Sequence, residues 1–288
     1  MADIFVGISG WTYAPWRGIF YPPKHPQRLE LEFASRQVSS IEINGTFYRL
    51  QKPENYLQWY EQTPPDFCFA VKASQFITHR RRLKDVAQPL ANFFASGLLC
   101  LKEKLGPILW QLPPNLPYVD DRVVEFMRLL PHSAAAAGEL AARHDAFVDG
   151  KCHTDPGGDY PVRHAFEFRH SSFRDEALLA EMRRLNIAFV FADAGEHALG
   201  NHDVTADHIY MRMHGQTVAH AANGYTESEL RQIAQRIKAW ASGVPPEGGV
   251  YLLPPPAQEP RDVFVYFDND EKAHAPRNAM RLRELLAG

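Results

Sequence analysis

The sequence predicts an α/β fold: a (β/α)8 TIM-like barrel forming a single domain over residues 1–288. Three observations lead there. Eight short β-type apolar runs are spaced along the chain, helical patterns alternate with them, and seven of the eight runs end in charged or amide residues. Strand–helix alternation argues for a parallel sheet, and eight units argue for its closure. In closed α/β barrels the chemistry gathers at the C-terminal ends of the strands.

The first run, IFVGISGW, ends in small and aromatic residues, and a helical pattern follows over Leu29–Gln37. IEINGTFY comes next, then a pattern over Pro53–Gln62. FCFAVKAS precedes a helical stretch near Val86–Lys104. ILWQLPP precedes one over Asp121–Leu130, with Val123, Val124, Met127 and Leu130 on one face. After HAFEFRH, Leu178, Leu179, Met182 and Leu185 recur at helical spacing within Asp175–Leu185. AFVFAD leads through a polar loop to IYMRMHG. Thr226-Glu227-Ser228-Glu229 then reads as a capping box, in which a hydroxyl and a carboxylate satisfy free amides at a helix start. Leu230, Ile233, Ile237 and Trp240 form the buried face of that helix. VFVYFDND precedes a last helix carrying Ala279, Leu282, Leu285 and Leu286. Two surface insertions interrupt the rhythm. Residues 131–161 hold four consecutive alanines and then GKCHTDPGGDY, which suggests a partly helical extension with a flexible tip. Residues 243–260, rich in Pro and Gly, suggest a loop before the last strand.

With 288 residues, 45% of them hydrophobic, the chain can bury a large core, and barrels of ~250 residues fold as one unit. A net charge of −3 argues against a dominant basic surface for nucleic acid. Cys68, Cys100 and Cys152 are scattered without a CxxC spacing, so a reduced, cytoplasmic compartment is expected. The opening MADIFVGISG has no basic stretch leading into an apolar one, and no apolar run approaches the ~20 residues that span a bilayer; neither a signal peptide nor a membrane partner is expected.

Side chains alternate along a strand, and in a barrel the outward set packs on helices. Placing the apolar residues outward turns Ser9, Glu42, Asn44, Lys72, Gln111, Glu167, Arg169, Asp193, Tyr210, Arg212 and His214 toward the lumen. On the last strand the phase is open: either Asn269, or Asp268 and Asp270, face the mouth. Three acids (Glu42, Glu167, Asp193) stand against three bases (Lys72, Arg169, Arg212), a nearly neutral set. Burying charge costs several kcal/mol per ion without partners, so this set is either a structural ion-pair network or a polar binding pocket.

GISGWTYAPWRGIFYPP, IEINGTFYRL, FAVKASQFITH, LWQLPP, FEFRHSSF, FADA, YMRMHG, VYFDND and HAPRNAMRLREL, in this order from residue 4 to about residue 286, resemble the DUF72 or YecE-like family. The resemblance implies a TIM-like barrel and names no reaction. That family's last strand usually reads FNND; here Asp268 replaces the first Asn.

Three chemistries suit the inward residues. Glu42, Glu167, Asp193 and His214 form a possible ligand set for a divalent metal, but Lys72, Arg169 and Arg212 among them argue against one, and no metal residue is assigned. Glu42 and Glu167, from opposite sides of the barrel, suit acid–base or glycosidic chemistry. Arg169 beside Glu167 would keep it ionised, whereas Glu42 has only Asn44 local to it. Lys72, Arg169, Arg212 and the run His79–Arg82 suit an anion. Among the mouth aromatics, Trp11 and Tyr48 lie closest to strand ends and suit stacking on a ring. No P-loop, GxGxxG, HExxH or GxSxG motif points to a cofactor.

The expectation is an enzyme acting on a small polar or anionic substrate, a sugar or phosphate ester, by hydrolysis or isomerisation at the C-terminal mouth. Glu42 and Glu167 would react, with Lys72 as a further catalytic group and His214 or Asp193 moving protons. Asn44, Tyr48, Trp11, Gln111, Arg169, Arg212, Asn269 and Asp270 would bind substrate. The alternative is a non-catalytic nucleic-acid or ligand-binding protein with a positive groove joining the arginine run to the aromatic first loop.

Overall fold

The computed structural model describes residues 2–119, 121–215 and 217–288. Strands β1 (Ile4–Ser9), β2 (Ser40–Ile43), β3 (Cys68–Lys72), β4 (Leu105–Gln111), β5 (His164–Glu167), β6 (Ala188–Asp193), β7 (His208–Met213) and β8 (Asp262–Phe267) pair in parallel, in chain order, into a closed barrel. Gly7 of β1 pairs with Ser40 on one side and Tyr266 on the other, which closes the ring. The barrel belongs to the (β/α)8 class.

Period-two alternation separates the core into two clusters. Val6, Ile8, Ile41, Phe69, Trp110 and Met211 belong to the outer shell. Ala70, Leu109, Ala165, Val190, Phe264 and Tyr266 fill the lumen. Phe5 stacks on Phe264 at 4.9 Å, and Tyr210 packs on Tyr266 at 5.1 Å. The Tyr266 hydroxyl lies 2.7 Å from Ser40 Oγ, which donates to the Cys68 carbonyl at 2.7 Å. Farther along the same strands the inward residues become ionic. The lumen is thus filled by rings at one level and by charge at the next, toward the mouth.

Gly7 shows how little space the filled lumen leaves. A Cβ there would lie 2.0 Å from the Ser40 carbonyl oxygen. Gly7→Ala should therefore destabilise the barrel by about 1–3 kcal/mol, read as a lower denaturant midpoint; an unchanged midpoint would contradict this packing.

The helices follow the sequence pattern closely. They are α1 (Glu30–Gln37), the short α2 (Gly45–Tyr48), α3 (Pro53–Gln62), α4 (Ala87–Ala95), α5 (Arg122–Arg128), α6 (Ala134–Ala141), α7 (Glu176–Arg184), α8 (Val218–Asn223), α9 (Glu227–Ala241) and α10 (His274–Ala287). At α9 the capping box forms: Glu229 Oε2 accepts from the Thr226 amide at 2.7 Å, and Thr226 Oγ1 accepts from the Glu229 amide at 3.3 Å. None of the described helices is long and apolar enough to cross a membrane.

Two segments differ from the sequence expectations and a third, 243–260, is the loop expected; each has a physical cause. The stretch 86–104 is two elements, because Gly97 takes φ 112° and a Cβ there would lie 2.6 Å from Pro53 Cα. The extension 131–161 is tied along α4: Asn92 Nδ2 donates to Asp145 Oδ1 at 3.0 Å, and the His153 amide donates to the Ala95 carbonyl at 2.7 Å. The Pro- and Gly-rich loop 243–260 is held by buried Asp203, whose carboxylate accepts from the amides of Leu252 (3.1 Å) and Leu253 (2.8 Å). That loop packs on residues 201–206, where the chain runs from β6 to β7 through a single helical turn at Gly195–His197.

Candidate functional site at the barrel mouth

Arg212, facing inward from β7, organises the ionic level. Its side chain is fully buried, and its guanidinium has donors enough to serve several carboxylates at once. Nε and Nη2 grip Glu42 at 3.0 and 2.8 Å. Nη1 donates to Glu167 Oε2 at 2.9 Å, and Nη2 also donates to Asp268 Oδ2 at 2.8 Å. Glu42 accepts further from the Tyr210 hydroxyl (2.6 Å) and from Ser9 Oγ (2.8 Å). Glu167 accepts from Gln111 Nε2 (2.9 Å) and Arg169 Nε (2.8 Å). Alternation on β1, β2, β4, β5, β7 and β8 thus converges on one cation.

The cluster is graded by depth. Glu42, Glu167 and Arg212 have no exposed side-chain surface, whereas Arg169 and Asp268 are each 20% exposed. The three deepest charges form a floor beneath the groups that a ligand can reach. Lys72 projects inward from the end of β3, its ammonium 4.5 Å from the centroid of the Phe47 ring. His214 lies between Asp268 (Nδ1, 3.1 Å) and Glu167 (Nε2, 3.4 Å), with Arg212 Nη1 also 3.1 Å from its Nε2.

Proton affinities divide along the same gradient. Burial would raise the Glu167 and Asp268 carboxyls, but Arg212 and His214 outweigh it and hold both below the ordinary range. For His214, burial and Arg212 oppose the charged ring; the bonds to Asp268 and Glu167 prevail and raise its pKa. Lys72 is lowered by burial and by Arg212. Asp270 moves opposite to Glu167 and Asp268: burial, and then the charge of Asp268, push it up to about 7. One of its carboxyl oxygens, Oδ1, is buried without a partner among the described residues. Trp16 Nε1 holds the Asp270 carbonyl at 2.8 Å, and the Tyr13 phenol lies against the Asp270 side chain while donating to the Ser9 carbonyl at 2.7 Å.

Beside this cluster a cleft of about 430 Å³ opens between the ends of β1 and β2, lined by Trp11, Tyr13, Asn44, Tyr48 and Trp59 among others. Trp11 stands edge-on to Trp59 at 5.4 Å; Tyr48 is 72% exposed. Asn44 Oδ1 is buried without a partner among the described residues. Tyr13 touches both this cleft and Asp270, so it joins the two.

Two expected inward residues prove to lie elsewhere. Asp193 was placed in the lumen, but it shares the outward phase of Phe189 and Phe191, and its Oδ2 accepts from the Tyr225 hydroxyl at 2.6 Å at the start of α9. Asn269 faces α10, donating through Nδ2 to Asn278 Oδ1 at 3.1 Å. The open phase on β8 resolves in favour of Asp268 and Asp270. Glu42, with only Asn44 local to it in sequence, gains its partners from distant strands. The metal set weighed and not favoured from sequence does not converge, since Asp193 faces away and Arg212 stands between Glu42 and Glu167; no group of three or more His, Cys, Asp or Glu among the described residues is arranged to hold an ion. Glu42, Lys72, Gln111, Glu167, Arg169, Arg212 and His214 do come together. Sequence reading did not name Asp268 and Tyr13 as site residues. Asp268 had a signal, as a charged replacement of the resembled family's Asn; Tyr13 had none beyond its aromatic loop.

Comparison with known proteins places the chain in a family. Over 308 aligned residues the chain is 24% identical to UPF0759 protein YunF of Bacillus subtilis (strain 168), covering 98% of this chain and 94% of that protein. UPF0759 protein YecE of Escherichia coli (strain K12) is 31% identical over 110 residues, 38% of each chain. Among solved structures, a DUF72 family protein from Thermotoga maritima MSB8 superposes with a TM-score of 0.73 at 23% identity, covering 99% of this chain and all of that one. One from Enterococcus faecalis V583 gives 0.67 at 16% identity, covering 100% and 99%. These structures share the fold. With residues 5–288 matching the family model described as "Protein of unknown function DUF72", the chain belongs to the DUF72 family.

Proposed function

We propose that the protein is an enzyme acting on a small polar or anionic substrate, a sugar or phosphate ester, by proton-assisted hydrolysis or isomerisation at the barrel mouth. The observation that carries this reading is the divergence of two carboxyls two residues apart: Asp268 is held ionised by Arg212 and His214, while Asp270 keeps its proton to about pH 7. Environments that push paired acids apart are how one site obtains both a proton donor and a fixed negative charge. Asp270 serves as the general acid, with Tyr13 orienting it. Lys72, Arg169 and His214 supply the positive face that meets an anionic group. Asn44, Tyr48 and Trp11 hold the remainder of the substrate in the cleft. On this reading Glu42 and Glu167 fix Arg212 rather than react, since both are bonded to its guanidinium with no exposed surface of their own.

The test is turnover of a panel of aryl phosphates, aryl glycosides and phosphorylated ketoses by the purified chain. Activity should fall as pH rises through about 7, where Asp270 ionises. Asp270→Asn should lower kcat by about 10²–10⁴-fold, with KM little changed. Full activity in that variant, or no turnover anywhere in the panel, would remove the proposal.

A further inference from the structure

A second groove lies outside the barrel mouth and meets the cleft of the reaction just proposed at Tyr48, Arg49 and Gln51. It holds about 720 Å³, within the range of small-ligand sites. Its walls come from three places: the segment after α2, the π-helical turn Phe76–Arg80 after β3 together with α4, and the extension 131–161. Two features set it apart from ordinary surface.

The first is exposed aromatic area. Tyr48, Phe76 and Phe147 line the groove at 72%, 46% and 77% exposure. Three of the ten exposed large hydrophobic side chains among the described residues thus share one depression. The second is charge. Arg49, Lys52, Arg80 and Lys151 line it and face solvent, and none of the four has an ion-pair partner among the described residues. The single acid in the lining, Asp145, is already engaged by Asn92 and by the Phe147 amide. Within the arginine run the neighbours are occupied: Arg81 pairs with Asp85 at 3.4 Å, and Arg82 donates to the Asn115 carbonyl at 2.5 Å. Arg80 alone of the three is turned to the groove.

Four unpaired cations around open aromatic rings, in a chain whose net charge is −3, form a local inversion of the surface field. Their complement is a ligand that carries planar rings and negative charge on the same molecule. We propose that this groove binds nucleoside phosphates, the base stacking on Phe76 and Phe147 and the phosphate meeting Arg80 and Lys151. An acidic peptide would satisfy the cations but leave the ring faces without planar partners. Stacking on aromatics plus backbone charge is how bases are held without sequence readout. Tyr48, Arg49 and Gln51 line both this groove and the mouth cleft, so a longer strand has a continuous path between them. The shared chemistry has two sources: a free nucleotide, or a nucleotide within a single strand.

Fluorescence anisotropy of the full chain with labelled oligothymidylate at low salt, and competition by AMP, separate them. Displacement by AMP at concentrations near its own dissociation constant identifies the free nucleotide as occupant. Binding of the oligonucleotide that AMP does not displace identifies the strand. In either case Phe147→Ala should weaken binding about tenfold or more. For the strand, Arg80→Ala with Lys151→Ala should lower the slope of log affinity against log salt by about 1.4. These side chains are exposed, so the variants should fold normally. Absence of binding by both probes overturns the proposal. So does binding that survives Phe147→Ala unchanged, since that would be charge attraction alone, the behaviour expected of an acidic protein partner.

Discussion

Arg212→Met should destabilise the protein by about 3–5 kcal/mol or prevent folding, the usual cost of stranding buried charge. The substitution removes the shared partner of Glu42, Glu167 and Asp268, two of them with no exposed surface. Methionine approximates the volume but offers none of the four bonds under 3.2 Å that the guanidinium donates to these acids. Arg212→Lys should fall between wild type and Met, because one ammonium cannot reach both glutamates in the same geometry. Adding Glu42→Gln and Glu167→Gln to Arg212→Met should restore part of the loss, since the stranded charges are then gone. Urea midpoints at neutral pH measure all three. If Arg212→Met unfolds at the wild-type midpoint, the floor of the mouth is not the ion cluster described.

Asp270→Asn should make the protein more stable above neutral pH while disabling the chemistry proposed for it. A carboxyl titrating near 3.8 when unfolded and about 7 when folded binds an extra proton in the native state between those values. Wild-type stability should therefore fall as pH rises from about 4 to about 7 and then level off, as far as this group is concerned. Asparagine carries no such penalty, so the variant should gain about 2–4 kcal/mol on wild type at pH 8 and little at pH 4. His214 acts with the same slope: its raised pKa gives stability that is present below its unfolded value and lost as pH rises through the folded one. Thermal or urea unfolding across this range, wild type against variant, decides the matter; parallel curves would show that Asp270 does not hold its proton.

How much of this was legible in sequence differs by level. The eight strands and the α9 capping box were readable because period-two alternation and local hydrogen-bonding residues act over a few positions. The same rule explains the misplacement of Asp193. In AFVFAD the two phenylalanines set the outward phase, and Asp193 lies two residues beyond Phe191, on that same face. Glu42 was readable as inward, but its partners come from β1 and β7, as far as 170 positions away in the chain. Long-range pairing of this kind leaves no local trace, so the two glutamates looked like independent reactive groups. The extension 131–161 was visible as a departure from the barrel rhythm. That it would wall a groove depends on Asn92 meeting Asp145, which spacing alone does not reveal.

The ring-filled level of the lumen, Phe5 on Phe264 and Tyr210 on Tyr266, has a consequence for traffic. It stoppers the barrel from below, so the mouth has no rear exit. Whatever enters over β1 and β2 must leave by the same doorway, and its successor waits until it has gone. For the reaction proposed above, turnover at such a dead end would be governed by departure as much as by bond-making, and side chains that crowd the doorway, Tyr48 foremost, would set the rate without touching a reacting atom.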